Sequence, residues 1–486
     1  MLVLLWIIIS IGIYKCCTDT PFIRTNESEK NIQNENKSNI TSNDKKQESY
    51  SDKIRVLLKT DNFAGIYHKE LQVSGTEGLI IQIGEQIIEC EPNQIYILNK
   101  DTISDNKEAI IKSKNNGKIK CQNIVRSSQP EYRGELNCYL SEEGITVINE
   151  LPVEQYLYGV VPSEMPSSYP LEALKAQAIT ARTYTYYHMK DYAYPQWKAH
   201  IDDSTSYQVY MNIPETDAST QAVNETANLV LKYNGELVES FYYSTSSGYS
   251  AGGEVWGNES NMSYLLSSGN DIFAQNDIEG EQKYREYINN GNVQDSEYNE
   301  PWYRWSYELC FGENRIKTFF DNLYQMSISN PDNVKIRSQF LQSHLLTSEK
   351  CINDIKILDR KKSGLVTSIL IQTPNFSVNV RTQHTIRQAL MITGDKLVKK
   401  DKTEYTLSNI LPSAFFCFDK LSNNIQNGDT QNINVIDGIK IYGAGMGHGA
   451  GMSQNGAKNL AVKGFAASEI LAYYYNADLN NIDDGG

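Results

Sequence analysis

Positive charge is scarce in this sequence, and so are long apolar runs. Its 486 residues hold 45 Lys and Arg against 59 Asp and Glu, a net charge of -14 with an isoelectric point near 5.1. Phosphate backbones are bound by basic faces, so this balance argues against nucleic acid as a partner. The acidic excess is spread along the chain and serves solubility rather than a directed field. Cys16, Cys17, Cys90, Cys121, Cys138, Cys310, Cys351 and Cys417 form no C-x-x-C pair, which argues against a zinc ribbon or a dithiol redox motif. They read as buried structural thiols, with disulfides left open. The leading apolar run, MLVLLWIIISIGIY at residues 1–14, is shorter than the ~20 residues of a spanning helix. It also lacks the basic start of a secretory signal. A weak anchor, an uncleaved export signal and a chain start placed too late all remain open.

What is present begins with a polar stretch, residues 18–53, rich in Asn, Ser, Lys and Glu. Its composition predicts a disordered tether. An anchor at 1–17 followed by a tether would put the globular part outside the membrane. From Ile54 the pattern turns to short apolar runs, IRVLLK, GLIIQI, QIIEC and QIYILN, then residues 109–113, which predict strands. Residues 134–140 and 144–149 predict a hairpin. The region 54–148 is therefore expected to be mostly β.

The stretch that follows is the one around which the chain is organised. Residues 170–190 predict a helix, with Pro170 at its first position and Glu172 in its first turn. Leu171, Leu174, Ala178, Ala181 and Thr185 recur at helical spacing, and most are small, as in a helix packed inside a domain. Lys175 and Arg182 share one face, roughly 10 Å apart along the axis. Just before the helix, Glu164 stands in V-V-P-S-E-M-P between Pro162 and Pro166. Two readings are open: an exposed loop residue, or a carboxyl desolvated by apolar neighbours and so suited to donate a proton.

Further on, His200, Asp202 and Asp203 form H-x-D-D, a weak metal set because strand neighbours face opposite ways. Residues 218–228 predict a helix, and Asn234-Gly235 a hairpin turn between 229–233 and 237–243. Gly248 to Gly252 matches G-x-S-x-G, but polar residues precede Ser250 and glycines follow it, so no strand-to-helix elbow is expected. Residues 270–300 read as an acidic surface loop or insertion. Residues 315–326 predict a helix, and 352–358 with 365–372 a hairpin. Gly443, Gly445, Gly447, Gly449 and Gly451 alternate with other residues. In extended backbone that alternation leaves one face bare, a floor open to a ligand or another segment. Ser453 is placed to cap a helix over 454–462, with Gly464 ending it, and a last helix is expected over about 467–475.

Several of these segments together resemble one family. E-x-Y-L-x-G-V-V-P-S-E-M-P from Glu154, then E-A-L-K-A-Q-A-x-x-A-R-T-Y from Glu172, resemble the core of the stage II sporulation protein D family, whose domain amidase-enhancer (LytB-type) proteins share. Asp202-Asp203 through Gln208-Val209-Tyr210 resembles its D-D-x-x-x-Q-x-Y. Residues 246–257 with Tyr264-Leu265 resemble its serine- and glycine-rich loop. Residues 447–457 resemble its G-H-G-x-G-M-S-Q-x-G-A, and Arg387 stands at the Arg of its R-x-x-L. The resemblance implies a bacterial cell-wall glycan enzyme or a stimulator of one, with Glu164 as the acid of a lytic transglycosylase. Lys175, Arg182, Asp203, Gln208, Ser246, Trp256, His448 and Gln454 become candidate substrate contacts, Trp256 by stacking. Lys175 and Arg182 would orient the acid or pair internally, and Asp203 is the candidate second carboxylate. Some relatives bind zinc through cysteines near the H-x-D-D segment. This chain has no cysteine between Cys138 and Cys310, so no metal and no cofactor are expected.

The sequence thus predicts an α+β protein, with mostly antiparallel sheets around a central helix. The expected organisation is an anchor or export signal at 1–17, a tether at 18–53, a β-rich region at 54–148, and a sporulation-protein-D-like region at 149–480 with an insertion around 270–350. The expected activity is cleavage of peptide-stripped peptidoglycan to 1,6-anhydro products. A non-catalytic amidase enhancer is the alternative, and a Ser250 hydrolase a distant third. Glycan strands, a cell-wall amidase and the membrane are the expected partners.

Overall fold

The computed structural model describes residues 52–103, 108–257, 262–338, 351–422 and 435–483. The expected anchor and nearly all of the tether lie outside them. No helix among the described residues is long and apolar enough to cross a membrane. The fold is mixed α+β with mostly antiparallel sheets, and the described residues fall in two compact units: those within 52–167, 181–230 and 480–483, and those within 168–180 and 231–479.

The first unit is dominated by strands. Its strands include β1 (Lys53–Leu58), β2 (Leu71–Gly75), β3 (Leu79–Ile83), β4 (Gln86–Cys90), β5 (Tyr96–Leu98), β6 (Glu108–Ser113), β7 (Ile119–Cys121), β8 (Glu131–Tyr132), β9 (Glu135–Leu140), β10 (Ile145–Pro152) and β11 (Ile201–Asp202). β1, β3, β4, β5, β6, β9 and β10 fall close to the runs read from sequence; β2, β7, β8 and β11 do not correspond to any of them. One sheet has the order β11-β1-β10-β9-β6-β3-β4, and a smaller one β5-β2-β7-β8. The β9–β10 hairpin pairs Ile145 with Leu140. Alternation sets the faces: Leu79, Ile81 and Ile83 are buried on β3 while Ile80 and Gln82 are exposed. Burying an aliphatic side chain of this kind contributes roughly 1.5–3 kcal/mol.

β10 runs directly into α1 (Val153–Glu164). Val153, Tyr156, Leu157, Val160 and Val161 are buried at helical spacing. This corrects the reading of Glu164 as an exposed loop residue. Pro162 lies inside the helix, in its last turn, and the chain turns extended at Met165. A proline there forgoes one backbone bond where the helix is ending in any case. The expected central helix is α2 (Leu171–His188). It is buried on all sides rather than on one face: Ala173, Leu174, Ala176, Gln177, Ala178, Thr180, Ala181, Arg182, Thr183 and Thr185 are each fully buried. α3 (Asp217–Glu225) follows, capped by Thr216, whose side chain accepts from Ser219 N.

In the second unit, β12 (Leu229–Tyr233) and β13 (Glu236–Leu237) turn at Asn234 and Gly235, both at positive φ. β14 (Tyr242–Tyr243) comes next. Residues 278–290, expected as loop, form α4 (Ile278–Asn290), which Asp277 caps through Gly280 N and which buries Tyr284 and Ile288. Further strands are β15 (Trp305–Cys310), β16 (Val334–Ser338), β17 (Asp354–Arg360), β18 (Val366–Gln372), β19 (Phe376–Arg381), β20 (Lys396–Lys399), β21 (Glu404–Thr406), β22 (Phe416–Leu421), β23 (Gly438–Gly443) and β24 (Met452–Ser453). They form sheets β21-β20-β15-β23-β22 and β16-β19-β18-β17, with β14 and β24 paired in parallel. The helices α5 (Glu313–Ser329), α6 (Gln383–Ala389), α7 (Gln454–Val462) and α8 (Ala467–Tyr474) complete the unit. Ser453 caps α7 by accepting from Gly456 N.

Candidate functional site

In the first unit, Glu164 is seated by the loop that follows β11. Val209 N–H donates to its Oε1 at 2.5 Å, and the side chain is half-buried. That loop is fixed to the end of α1 at several points. Ser163 Oγ accepts from Asn212 N and Ile213 N, each at 3.1 Å, and donates to Gly159 O at 2.7 Å. Gly159 makes the approach possible, because a Cβ there would lie 2.6 Å from the Tyr210 ring and closer still to Met211 Sδ.

Gln208 is fully buried and touches no solvent. Its Oε1 accepts from Thr185 Oγ1 at 3.0 Å and its Nε2 donates to Ala181 O at 3.2 Å, which pins Val209 beside Glu164. Expected as a substrate contact, it instead positions the residue that donates to Glu164. Asp203 is also corrected. It is fully buried, paired with Arg126 Nη2 at 2.7 Å, and accepts from Lys59 N at 3.0 Å. Burial pushes its carboxyl up to about 6, against the pull of Arg126. No substrate can reach it. Arg182 resolves to internal pairing: Nε and Nη2 hold Glu154 at 2.7 and 2.8 Å, and further donors meet Val223 O and Leu229 O. Lys175, in the second unit, is half-buried and pairs with Glu172 at 2.9 Å.

The H-x-D-D residues are engaged separately. His200 Nδ1 accepts from Arg55 N at 3.0 Å, and burial with the nearby Arg55 charge holds the imidazole down to about 4. Asp202 accepts from Ser204 and Tyr194. Among the described residues, no group of three or more His, Cys, Asp and Glu side chains is placed to hold a metal.

In the second unit, the serine- and glycine-rich loop and the glycine motif come together. β14 pairs with β24, Thr245 bridges to Met446, and Ala251 to Ala450. The expected bare floor is absent. Gly445, Gly447, Gly449 and Gly451 are all at positive φ, so the backbone is not extended there. The space beside the glycines is filled by the chain itself. A Cβ on Gly447 would meet Tyr243, and one on Gly449 would lie 2.5 Å from the Phe415 ring.

His448 is half-buried, with both ring nitrogens on backbone. Nδ1 accepts from Ala450 N at 3.2 Å, so Nε2 carries the hydrogen and donates to Tyr242 O at 3.0 Å. Burial, with the Arg387 charge, pushes its imidazole down to about 4. It therefore stands as a neutral ring at pH 7. Beside it Trp256, 40% exposed, stacks on Phe241 with ring centroids 4.0 Å apart and lies 5.4 Å from the His448 ring. This aromatic platform was half legible: Trp256 was read from sequence and Phe241 was not. Ser250 donates its N–H to Ser268 Oγ and is followed by a single 3-10 turn, so no nucleophile elbow forms.

Glu297 escaped the sequence reading altogether. It lies in the polar segment read as surface, yet it is 4% exposed. Its Oε2 accepts from Ser246 N and from Ser453 Oγ, each at 2.8 Å. Burial pushes its carboxyl up to about 7, against these two bonds. Asn455 adds a second tie between the same loops through Thr245 Oγ1 at 2.9 Å, and accepts from Tyr169 OH at 2.6 Å. Gln454 is half-buried, with Nε2 3.4 Å from Gln177 Oε1.

Residues 141–233 match the model of the stage II sporulation protein family. The matched stretch carries Glu164, Lys175, Arg182, Asp203 and Gln208. Over longer alignments the chain is 28% identical to the amidase enhancer of Bacillus subtilis (strain 168), covering 66% of this chain and 39% of that protein. It is 26% identical to stage II sporulation protein D of the same organism, covering 74% of this chain and 84% of that protein. A stage II sporulation protein D from Bacillus amyloliquefaciens is 25% identical over 69% of this chain and 76% of its own length. The chain thus spans well under half of the amidase enhancer and most of the sporulation proteins.

Proposed function

We propose that the protein is a peptidoglycan lytic transglycosylase acting on glycan strands already stripped of peptide, in spore formation or wall remodelling, outside the membrane and beside a cell-wall amidase. The observation that carries this reading is the seating of Glu164 on the Val209 N–H at the end of α1, inside the family-matched stretch. Hydrolysis of a glycosidic bond ordinarily takes two carboxylates, one as acid and one as nucleophile or base. The second candidate, Asp203, is sequestered with Arg126, and Glu154 and Glu215 are each held by arginine. A mechanism needing one carboxylate fits this distribution. Glu164 protonates the bridging oxygen as the C1–O bond breaks. Its carboxylate then takes the proton from the 6-hydroxyl of the same sugar as that oxygen bonds to C1. Water is not consumed and the acid is regenerated. The Phe241–Trp256 platform, with Ser246, His448 and Gln454, supplies a surface of the kind that stacks and hydrogen-bonds sugar.

The name of one relative favours a second reading, an enhancer that binds glycan or amidase and cleaves nothing. Mass spectrometry of products from intact and amidase-stripped glycan separates the two. Anhydro-ended disaccharides from stripped strands, lost in Glu164→Gln, are the expected result. Equal release from both substrates sinks the substrate claim. No anhydro product from either, with a faster amidase when the protein is added, makes it an enhancer. Wild-type release by Glu164→Gln removes Glu164 from the chemistry.

A further inference from the structure

We infer that Glu297 is a positioning residue for glycan binding: its carboxylate ties the serine loop at Ser246 to the start of α7 at Ser453, and so sets the surface on which Ser246 and Gln454 meet the sugar. This inference rests on the glycan reading above and deepens it. The geometry is specific. One carboxylate oxygen, Oε2, receives both donors at 2.8 Å, one from each of two segments more than two hundred residues apart in sequence, at 246 and 453. Ser246 Oγ in turn accepts from Gly248 N at 3.0 Å, which shapes the loop leading to Trp256. Ser453 Oγ accepts from Gly456 N as the cap of α7, so the same hydroxyl fixes the direction in which Gln454 departs.

The carboxyl is closely packed. A Cβ on Gly456 would lie 2.8 Å from Glu297 Oε1, so the helix backbone is pressed against the carboxyl. The charged and titratable groups facing Glu297 are Lys458 and Glu300, which pair with each other, and the phenols Tyr169, Tyr243 and Tyr474. A buried donor left without its acceptor is unfavourable enough to make a loop rearrange. Removing the carboxyl would strand the Ser246 N–H and Ser453 Oγ–H together. The expected consequence is a displaced loop, not only a weaker fold.

The test is glycan affinity, measured by calorimetry on the whole protein at 10 °C with amidase-stripped strands, in a Glu164→Gln background so that nothing is cleaved. Near-UV circular dichroism confirms that each variant is folded. Glu297→Gln keeps an oxygen for both donors and should bind within about twofold of its parent. Glu297→Ala should lose about tenfold or more, the scale of leaving one buried donor without its acceptor. Glu297→Asp, which withdraws the carboxyl by one methylene, should fall between and decides the matter if Glu297→Ala does not fold. A folded Glu297→Ala, or Glu297→Asp in its place, with parental affinity overturns the inference, since a purely stabilising residue would move the melting temperature and leave low-temperature affinity alone. If the parent itself binds no glycan, the glycan reading falls and this inference falls with it.

Discussion

Glu297→Gln should make the protein more stable at pH 8 and should change its stability least near pH 4. The carboxyl is 4% exposed, and burial moves it from the ordinary glutamate value of 4.5 to about 7. In the unfolded chain the group ionises near 4.5, and in the folded chain only near 7. Between those values the unfolded state has released a proton that the folded state still holds, so stability falls as pH rises through this window. Each pH unit is worth about 1.4 kcal/mol, so the loss approaches 3 kcal/mol by pH 8 and then levels off. A glutamine pays no such ionisation penalty, while its carbonyl oxygen can still accept from Ser246 N and Ser453 Oγ. Urea unfolding of both proteins at intervals from pH 4 to pH 8 reads the effect as a difference. Titrating groups that do not face Glu297, including Asp203 and His448, cancel between the two curves. The variant should gain on wild type steadily between about pH 4.5 and 7, with a final advantage of about 3 kcal/mol less whatever the extra amide N–H₂ costs. A constant difference across the whole range would refute the reasoning. It would mean that Glu297 is solvated, or that its two bonds offset the burial.

Other sites give sharper single measurements. Gly159→Ala should destabilise by about 1–3 kcal/mol, because the added methyl collides with Tyr210 and Met211, and activity should fall with it as the Val209 loop moves off Glu164; a melting curve with a product assay checks both. Arg182→Met should destabilise by about 3 kcal/mol by leaving Glu154 without its guanidinium, and Arg182→Met with Glu154→Leu should recover much of that loss. Trp256→Ala should weaken binding of stripped glycan by about tenfold with little change in melting temperature, since the ring is 40% exposed; unchanged affinity would remove the aromatic platform from the binding surface.

What could be read from sequence follows the range of the interactions involved. α2, the Ser453 cap and the Asn234-Gly235 turn are local signals, set by residues within a few positions of one another, and they stand where the pattern put them. α1 was obscured because Pro162 and Pro166 read as loop punctuation. Pro162 costs the helix one backbone bond close to its end, and the burial of the residues from Val153 to Val161 outweighs that loss. α4 was hidden by its charge, since Tyr284 and Ile288, four apart, carry its packing together with a glycine. The glycine motif was misread for a different reason. Alternating glycines suit an extended strand with one bare face, but they suit equally a chain that takes positive φ at every second residue, and only the neighbours Tyr243 and Phe415 decide between these. The buried polar residues were the least legible. Asp203 finds Arg126, 77 positions away, and Glu297 finds Ser453, 156 away. A carboxylate that will be solvated and one that will be enclosed look alike in sequence, because the difference lies in what the fold brings to them. The motifs single out Glu164 as a position to test and leave Arg182 open to internal pairing, yet they offer Asp203 and Gln208 as substrate contacts when the partners of both are inside the protein. A motif records which residues a fold requires together, and it does not say whether they face the ligand or hold up the ones that do.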